Sequence, residues 1–271
     1  VSDRSGWWNI YSLNEGIPKC VYEKDAEFGM PLWTLGVSTY GFINENKIIS
    51  WFNTRGNWQI GIIDLQDNNF TELKTPYTDL ARIGLKAHDN KILIGSASPT
   101  SSAAISLFDA DSSMFTLLEG SKTLSFPTEY ISLPETIEIM SENNHPVHAF
   151  FYPPTNPDFR APDNTLPPLI VFTHGGPTSA TTTGLNLNVQ FWTSRGFSVL
   201  DVNYGGSSGY GREYRRSLNL KWGIVDVDDC ISAASHIVKR GNADPNRLAI
   251  RGGSAGGFTT LAALTFRDFF T

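Results

Sequence analysis

The chain has 271 residues, of which 40% are hydrophobic and 18% charged, and its formal net charge at pH 7 is −6. An acidic chain lacks the basic surface that nucleic acids and anionic membranes require, so we expect neither as a partner. The longest apolar run, at residues 169–172, is far too short to span a bilayer. The two cysteines, Cys20 and Cys230, are expected to be unpaired buried thiols rather than a disulfide or a metal site.

Residues 1–127 contain short β-patterned runs that are separated by polar turns. Three of these runs share one design, a strand that ends in an Asp- or Asn-containing turn: Trp7–Asn14, Asn57–Gln66 and Ala103–Ser112. Equivalent positions recur after 50 and 45 residues, and the second and third runs each follow another strand-like run. A repeat of this length is typical of β-propeller blades, with a β-sandwich as the alternative. Because a ring needs about 4–8 blades, we predict an incomplete propeller.

The composition changes near residue 128. The Pro-rich segment Phe150–Pro168 is predicted to be a connecting loop and neither central strand nor helix. Predicted strands then alternate with helices, which indicates a doubly wound, mainly parallel sheet over residues 128–271. The strands are predicted at residues 169–173, 197–203 and 247–250, and the helices at residues 187–196, 226–241 and 257–266.

Two of these helices carry apolar residues at helical spacing. In the first helix these residues are Leu187, Phe191 and Trp192, and in the second they are Val227, Ile231, Ala234 and Val238. The acids at positions 226, 228 and 229 are interpreted as residues that favour the start of the second helix, with little support for a metal site.

Residues 252–256 fit the pattern G-x-S-x-G, with Ser254 between glycines. This pattern forms the nucleophile elbow, in which a serine occupies a strained turn between a strand and a helix. Glycines are needed there because a Cβ would clash where backbone segments approach closely. The motif follows a predicted strand and opens a predicted helix, as an elbow requires. We therefore predict Ser254 as a catalytic nucleophile; the alternative is a glycine-rich turn with a bystander serine.

A second motif, HGGP at residues 174–177, stands at the C-terminal end of a predicted strand. Ligand sites of parallel sheets gather at that edge. A turn there can direct a backbone N–H at a developing oxyanion, and the N–H after the nucleophile supplies a second donor. We predict an oxyanion hole formed by Gly176 N–H and Ala255 N–H, with Gly175 as the weaker alternative for the first donor. Taken alone, the motif is simply a tight turn.

A general base for Ser254 is missing from this sequence. His174 precedes Ser254, whereas the α/β-hydrolase fold orders its triad as Ser, then acid, then His. The other histidines, at positions 88, 145, 148 and 236, lie in the β half, the connecting segment or a predicted helix. Asp268 is the one acid after Ser254, and it follows too closely to lie at the end of a later strand. The base and its orienting carboxylate are therefore expected to be missing from this chain.

Four motifs, in this order, resemble the prolyl oligopeptidase family of serine peptidases, most closely its aminopeptidase and acylaminoacyl-peptidase-like branch. They are HGGPTSA, DVNYGGSSGYGREYR, WGIVDVDDC and DPNRLAIRGGSAGG, which begin at residues 174, 201, 222 and 244. The resemblance is strong over residues 169–266 and rests on pattern alone before residue 130. It implies a partial β-propeller at residues 1–127, followed by a partial α/β-hydrolase domain at residues 128–271.

The resemblance also implies roles for particular residues. Ser254 is the implied nucleophile, Ala255 N–H and Gly176 N–H are the implied oxyanion donors, and the family's Asp and His are expected well past Thr271. The chain is thus expected to be an interior fragment that is inactive alone. The implied function is hydrolysis of short peptides through an acyl-enzyme, with no cofactor and no metal.

Two alternative functions remain at this point. One is an α/β-hydrolase esterase that acts on small esters, and the other is a non-catalytic propeller–hydrolase binding protein. A complete propeller favours peptides, a helical lid favours esters, and the lack of a downstream His favours binding. The expected partner is a short peptide substrate and the expected location is cytoplasmic, while the sequence leaves the oligomeric state open.

Overall fold

The computed structural model describes residues 1–80, 83–120, 124, 126–141 and 144–271. The chain divides into two compact units. The N-terminal unit comprises Val1–Lys122, Thr182–Leu185 and Ser208–Glu213, and the C-terminal unit comprises Thr123–Thr181, Asn186–Ser207 and Tyr214–Thr271. Two short segments from the second half of the sequence therefore belong to the N-terminal unit.

The N-terminal unit contains three open antiparallel sheets. Their strands are β1 (Tyr11–Asn14), β2 (Ile17–Cys20), β3 (Tyr40–Asn44), β4 (Lys47–Thr54), β5 (Asn57–Asp64), β6 (Asn69–Leu73), β7 (Leu85–His88), β8 (Lys91–Ser98), β9 (Ser101–Asp109) and β10 (Met114–Glu119). The sheet orders are β1-β2, β3-β4-β5-β6 and β10-β9-β8-β7. The repeated sequence pattern thus corresponds to β4–β5 and β8–β9, the central pairs of two four-stranded sheets. The first predicted run forms only a two-stranded sheet.

Turn chemistry and burial explain the larger sheets. Strands β4 and β5 are joined by Arg55 and Gly56, which both have positive φ, 52° and 83°. Two such residues form a type I′ turn, whose twist matches that of the strands it joins. Trp51 of β4 is buried in one cluster with Ile92 and Phe108 of the other four-stranded sheet. The apolar faces of both sheets therefore share one core.

The C-terminal unit is built on one five-stranded sheet. Its strands are β11 (Glu135–Met140), β12 (Pro146–Tyr152), β13 (Leu169–Thr173), β14 (Ser198–Asn203) and β15 (Leu248–Gly252), in the order β11-β12-β14-β13-β15. Strands β14, β13 and β15 pair in parallel, but β11–β12 and β12–β14 are antiparallel. The sheet is therefore mixed rather than mainly parallel, because the β11–β12 hairpin supplies two antiparallel strands at one edge.

The predicted start of the Pro-rich loop, at Phe150, is wrong because strand β12 continues to Tyr152. Phe150, Phe151 and Tyr152 lie in β12, which pairs on both sides, and all three side chains are buried. Phe150 and Tyr152 pack on one face of the sheet and Phe151 packs on the other. The prolines begin only at Pro153, so nothing in the preceding three residues prevents a central strand.

In the described part of the chain, four α-helices accompany the sheets: α1 (Leu187–Thr193), α2 (Gly211–Arg216), α3 (Val225–Lys239) and α4 (Ala255–Phe266). Helix α1 packs its Val189 against Phe150 and Tyr152, while α3 packs on the cluster of the opposite face. Because helices cover both faces, the sheet is doubly wound. The carboxyl ends of β13 and β15 lead into the two predicted site motifs.

The predicted apolar stripe of α1 is confirmed only in part, because Trp192 packs against the core while Leu187 and Phe191 do not. Leu187 and Phe191 are 54% and 47% exposed, whereas Val189 and Gln190 are buried. Gln190 can be buried because its side chain exchanges two hydrogen bonds with the backbone of Ser132, at 2.8 and 3.1 Å. A polar residue with both groups satisfied can thus occupy a core position.

The two cysteines are free; Cys230 is buried and Cys20 is half-buried. Burial raises the pKa of the Cys230 thiol well above its ordinary value. This thiol therefore stays protonated and packs as a small apolar group. Within the described ranges, no helix has both the length and the hydrophobicity needed to cross a bilayer.

Candidate active site

Ser254 occupies the turn between β15 and α4. Strand β15 ends at Gly252 and helix α4 begins at Ala255, so Ser254 stands at the helix N-cap position. Its backbone has φ 56° and ψ −122°, a conformation that a residue with a side chain adopts only under strain. An N-cap serine usually accepts a bond from the first helical turn, but the Ser254 side chain makes no such bond. Ser254 is exposed, so its hydroxyl is accessible.

The glycines around Ser254 serve different purposes. A Cβ on Gly252 would lie 2.0 Å from Thr173 Oγ1, and one on Gly256 would lie 2.2 Å from Thr173 O. A Cβ on Gly253 would meet nothing within 4 Å, and one on Gly257 would lie 3.6 Å from its nearest atom. Glycine is therefore required by close approach at positions 252 and 256 and not at the other two.

Thr173 joins the end of β13 to this turn. It is paired with Gly252 in the parallel ladder, and its Oγ1 lies 2.9 Å from Gly256 O and 3.1 Å from Arg251 O. The loop that follows Thr173 is thereby held beside the turn. A Cβ on Gly175 would lie 3.5 Å from Ser254 Cβ and 3.9 Å from Ser254 Oγ. The structure thus brings the HGGP motif and Ser254 together.

Two backbone donors near Ser254 are unused. Ala255 is the first residue of α4, so its N–H has no acceptor within the helix. Gly176 has φ 129° and is exposed, and its N–H belongs to the peptide group that starts at Gly175. In the described part of the chain, neither N–H donates a hydrogen bond to a protein acceptor. Both predicted oxyanion donors therefore have free hydrogen-bonding capacity.

His174 does not bond to Ser254. Its Nδ1 lies 2.8 Å from Gly175 O and its Nε2 lies 2.7 Å from Ser207 Oγ. Its ring stacks on that of Tyr204, with the centroids 4.4 Å apart. No residue among those described forms a hydrogen bond with Ser254 Oγ. Three further histidines of the C-terminal unit are placed elsewhere, two against the Tyr214 ring and one on α3 (His145, His148 and His236).

Two acids of α3 have structural roles beyond the helix start. Asp226 lies in the first turn of α3, as the sequence predicts for the helix start, but both Asp226 and Asp229 are also buried. Asp226 accepts hydrogen bonds from Thr259 Oγ1 of α4 and from Gly223 N. Asp229 accepts one from Gly205 N at 2.7 Å. Burial raises the pKa of both carboxyl groups. The i, i+3 spacing of these acids places them on one helix face, which is the signal available in the sequence.

The predicted apolar stripe of α3 faces the core. Val227 and Ala234 are buried, and the half-buried Ile231 and Val238 pack against the apolar core clusters. The buried face is wider than the predicted stripe because it includes the two hydrogen-bonded acids, together with Cys230, Ala233 and Ile237.

The far end of the HGGP loop is held by β14. Asn203 Oδ1 accepts from Thr181 N at 2.8 Å, and Asn203 Nδ2 donates to Thr181 O at 3.2 Å. The Thr181 hydroxyl donates to the buried carboxyl group of Asp201. Burial raises the pKa of Asp201 to about 7. The loop is therefore anchored to the sheet after the turn as well as before it.

We expect Asp201→Asn to remove a pH dependence of stability. Since the raised pKa is about 7, the folded protein retains a proton that the unfolded chain loses near pH 4. The free energy of unfolding therefore falls as the pH rises from about 4 to about 7, by up to about 4 kcal/mol, and then stays level. Asparagine is neutral throughout and still accepts from Thr181, so the variant should be the more stable protein near pH 8.

Urea unfolding near pH 5 and near pH 8 measures this effect. Asp244→Asn is the control, because hydrogen bonds from Asn246 N and Arg247 lower the pKa of Asp244, which therefore titrates below this window. The control should keep the fall in stability between the two pH values. An unchanged fall in Asp201→Asn would contradict the assignment.

Metal ligation finds no support in this geometry. Among the residues that the structure describes, no group of three His, Cys, Asp or Glu side chains is arranged to hold a metal ion. The chemistry available at the site is that of a hydroxyl group with two backbone donors.

The known proteins that are similar to this chain have the names of peptidases and related hydrolases. The chain is similar to a Mycobacterium tuberculosis puromycin-hydrolyzing peptidase, with 40% identity and a TM-score of 0.94, over 99% of this chain and 41% of that one. It is similar to a puromycin hydrolase with 35% identity and a TM-score of 0.95, over 99% of this chain and 40% of that one. It is 33% identical to the acylamino-acid-releasing enzyme of Arabidopsis thaliana over 145 residues, which are 53% of this chain and 19% of the plant enzyme.

The chain therefore spans about two fifths of the length of these solved structures. Residues 183–271 match the model of the prolyl oligopeptidase family. This range begins after the HGGP motif and contains Ser254 and Ala255. The resemblance that the sequence motifs indicated is confirmed, since residues 183–271 match the model of the prolyl oligopeptidase family.

Proposed function

We propose that the protein is a serine peptidase that hydrolyses short peptides through an acyl-enzyme on Ser254. One arrangement supports the proposal above all, an exposed serine at a strained strand-to-helix turn with the Gly175–Gly176 turn beside it. A serine that merely ended a strand would have no reason to adopt positive φ. The names of the relatives, a puromycin-hydrolyzing peptidase and an acylamino-acid-releasing enzyme, suit this function.

In the proposed reaction, Ser254 Oγ attacks the carbonyl carbon of the scissile peptide bond while its proton passes to a base. The carbonyl oxygen becomes an oxyanion that accepts hydrogen bonds from Gly176 N–H and Ala255 N–H. Loss of one such donor costs about 3–4 kcal/mol of transition-state stabilisation. The leaving amine then departs with a proton from the base, and water hydrolyses the ester on Ser254.

We propose that the base and its orienting carboxylate are a His and an Asp that follow Thr271 in the longer polypeptide. The solved relatives are more than twice as long as the part that matches this chain. Within the described residues, Ser254 Oγ has no histidine within hydrogen-bond distance. A serine hydroxyl without its base is a weak nucleophile, so the 271 residues alone are proposed to be inactive.

The domain assignment belongs to the same proposal. Residues 1–127 are proposed to be the C-terminal blades of a β-propeller, which the two four-stranded antiparallel sheets support. Residues 128–271 are proposed to be part of an α/β-hydrolase domain, which the three parallel strands and the turn at Ser254 support. A cytoplasmic location is proposed, since two free cysteines suit a reducing compartment.

The substrate class is tested with the full-length protein and matched chromogenic substrates. We expect hydrolysis of dipeptide p-nitroanilides, offered with free and with N-acetylated amino termini, at a kcat/KM of about 10⁴ M⁻¹s⁻¹ or more for the preferred form. The matched p-nitrophenyl esters of short fatty acids should be poorer substrates. Faster cleavage of these esters than of any anilide would favour the esterase. Binding of peptides without cleavage would favour the non-catalytic protein.

A further inference from the structure

His174 holds one specific backbone group of the HGGP turn. The Gly175 carbonyl oxygen can only accept a hydrogen bond, so the His174 Nδ1 at 2.8 Å carries a proton and donates it. The carbonyl oxygen of Gly175 and the N–H of Gly176 belong to the same planar peptide group, in which they point in opposite directions. Fixing Gly175 O therefore fixes the direction of Gly176 N–H.

The His174 ring is itself held in place from two sides. Its face stacks on Tyr204 at an interplanar angle of 10°, and its Nε2 lies 2.7 Å from Ser207 Oγ. The Tyr204 hydroxyl donates to His174 O at 2.8 Å, so the ring and the backbone of His174 share one support. Burial raises the pKa of Tyr204, which keeps this hydroxyl protonated as a donor. Such packing restricts both side-chain dihedral angles of the histidine.

These contacts argue against a direct role of His174 on the substrate. Both ring nitrogens are occupied, one by Gly175 O and the other by Ser207. A general base would need a free nitrogen facing Ser254, and a direct oxyanion donor would need a free N–H. The remaining role for His174 is to fix the orientation of the peptide group between Gly175 and Gly176.

We propose that His174 is a positioning residue, whose Nδ1–H holds the Gly175 carbonyl and thereby aims Gly176 N–H at the oxyanion. Ser207 and Tyr204 act through it by fixing the ring. This inference rests on the proposed function, since it concerns an oxyanion formed by attack of Ser254. A misplacement of about 1 Å at such a donor can lower the rate on the order of 100-fold.

Three substitutions of His174 in the full-length protein separate the role of Nδ1 from that of the ring. In His174→Asn the side-chain amide nitrogen can occupy the position of Nδ1. In His174→Gln the amide nitrogen reaches only the position of Nε2. His174→Phe keeps a flat ring that has no nitrogen atom. We expect kcat to fall about 10- to 100-fold in the Gln and Phe variants, with KM almost unchanged. The Asn variant should stay within about threefold of wild type.

A peptide aldehyde inhibitor gives a readout that loss of stability alone would not change. The aldehyde forms a hemiacetal with Ser254 whose oxyanion needs the same donors, so its inhibition constant should rise in step with the loss of kcat/KM. Equal kcat losses in all three variants, or a rise in KM alone, would overturn the proposal. Wild-type kcat in the Phe variant would overturn it as well.

Ser207→Ala and Ser198→Ala form a matched pair if the His174 variants fold poorly. Both serines are buried, and the hydroxyl oxygen of each lies within hydrogen-bond distance of a backbone carbonyl oxygen, Tyr204 O and Asn242 O respectively. Thermal unfolding should shift by a similar amount in each, but only Ser207→Ala should lower kcat, by about 5- to 20-fold. Equal kcat values would overturn the proposal. Hydrolysis that survives Ser254→Ala would instead contradict the proposed function, so the two failures are distinguishable.

Discussion

Ser254→Ala is expected to abolish peptide hydrolysis by the full-length protein, with kcat lowered on the order of 10⁴- to 10⁶-fold. The substitution removes the oxygen atom that is proposed to form the acyl-enzyme, while the two backbone donors remain in place. Residual catalysis from the donors and from substrate binding sets the lower limit of the rate. The measurements are hydrolysis of the preferred p-nitroanilide and covalent labelling with a fluorophosphonate probe, which should both be lost.

The same substitution should leave the fold intact. Ser254 is exposed, and its side chain forms no hydrogen bond with any residue among those described, so the substitution breaks no internal hydrogen bond. We expect the free energy of unfolding to change by less than about 1 kcal/mol. Ser198→Ala is a suitable control, because this serine lies at the other end of β14 from the site. The Ser198→Ala variant should still be labelled by the fluorophosphonate probe. Undiminished labelling of Ser254→Ala would show that another nucleophile is responsible.

Gly256→Ala is expected to lower the free energy of unfolding by about 3 kcal/mol or more and to inactivate the protein. Helix propensity alone predicts the opposite sign, since alanine favours a helix by about 1 kcal/mol over glycine. The added Cβ, however, would lie 2.2 Å from Thr173 O and 2.8 Å from His174 O. These are backbone atoms of β13 and the HGGP loop, so the helix and that loop would have to separate.

Gly253→Ala and Gly257→Ala are the matched controls for this prediction. At position 253 a Cβ meets nothing within 4 Å, and at position 257 it makes one ordinary contact. Gly257 lies within α4, so alanine there should raise stability by up to about 1 kcal/mol. Urea unfolding of the three variants measures the contrast. Equal destabilisation by all three substitutions would contradict the assigned close approach at position 256.

Local signals were sufficient to predict most elements around the site. The run Leu169–Thr173 forms β13 with the predicted bounds, and the strand–serine–helix order at Ser254 is present in the structure. The recurring strand pairs of the first half also form, as β4–β5 and β8–β9. These features depend on residues that are close in sequence, such as alternating apolar side chains and turn residues with positive φ.

The partners of buried polar groups required the tertiary structure. Gln190 was not expected in the core because its partner, Ser132, is remote in sequence. The burial of two acids of α3 was not predicted for the same reason, since donors to these acids lie on α4 and in the turn after β14. A buried polar side chain is stable only where a distant element satisfies it, and sequence periodicity carries no information on that element.

The sequence by itself determined the resemblance to the prolyl oligopeptidase family over residues 183–271, the two site motifs and the turn that exposes Ser254, because these depend on contiguous residues. Only the tertiary structure decided that β13 and β15 are adjacent, so that Gly175 lies beside Ser254, and that His174 bonds to Gly175 O. Strand order and ring contacts result from packing between segments far apart in the chain. The exposed serine at the strand-to-helix turn could therefore be predicted from sequence, whereas the support of the neighbouring Gly175–Gly176 peptide group could not.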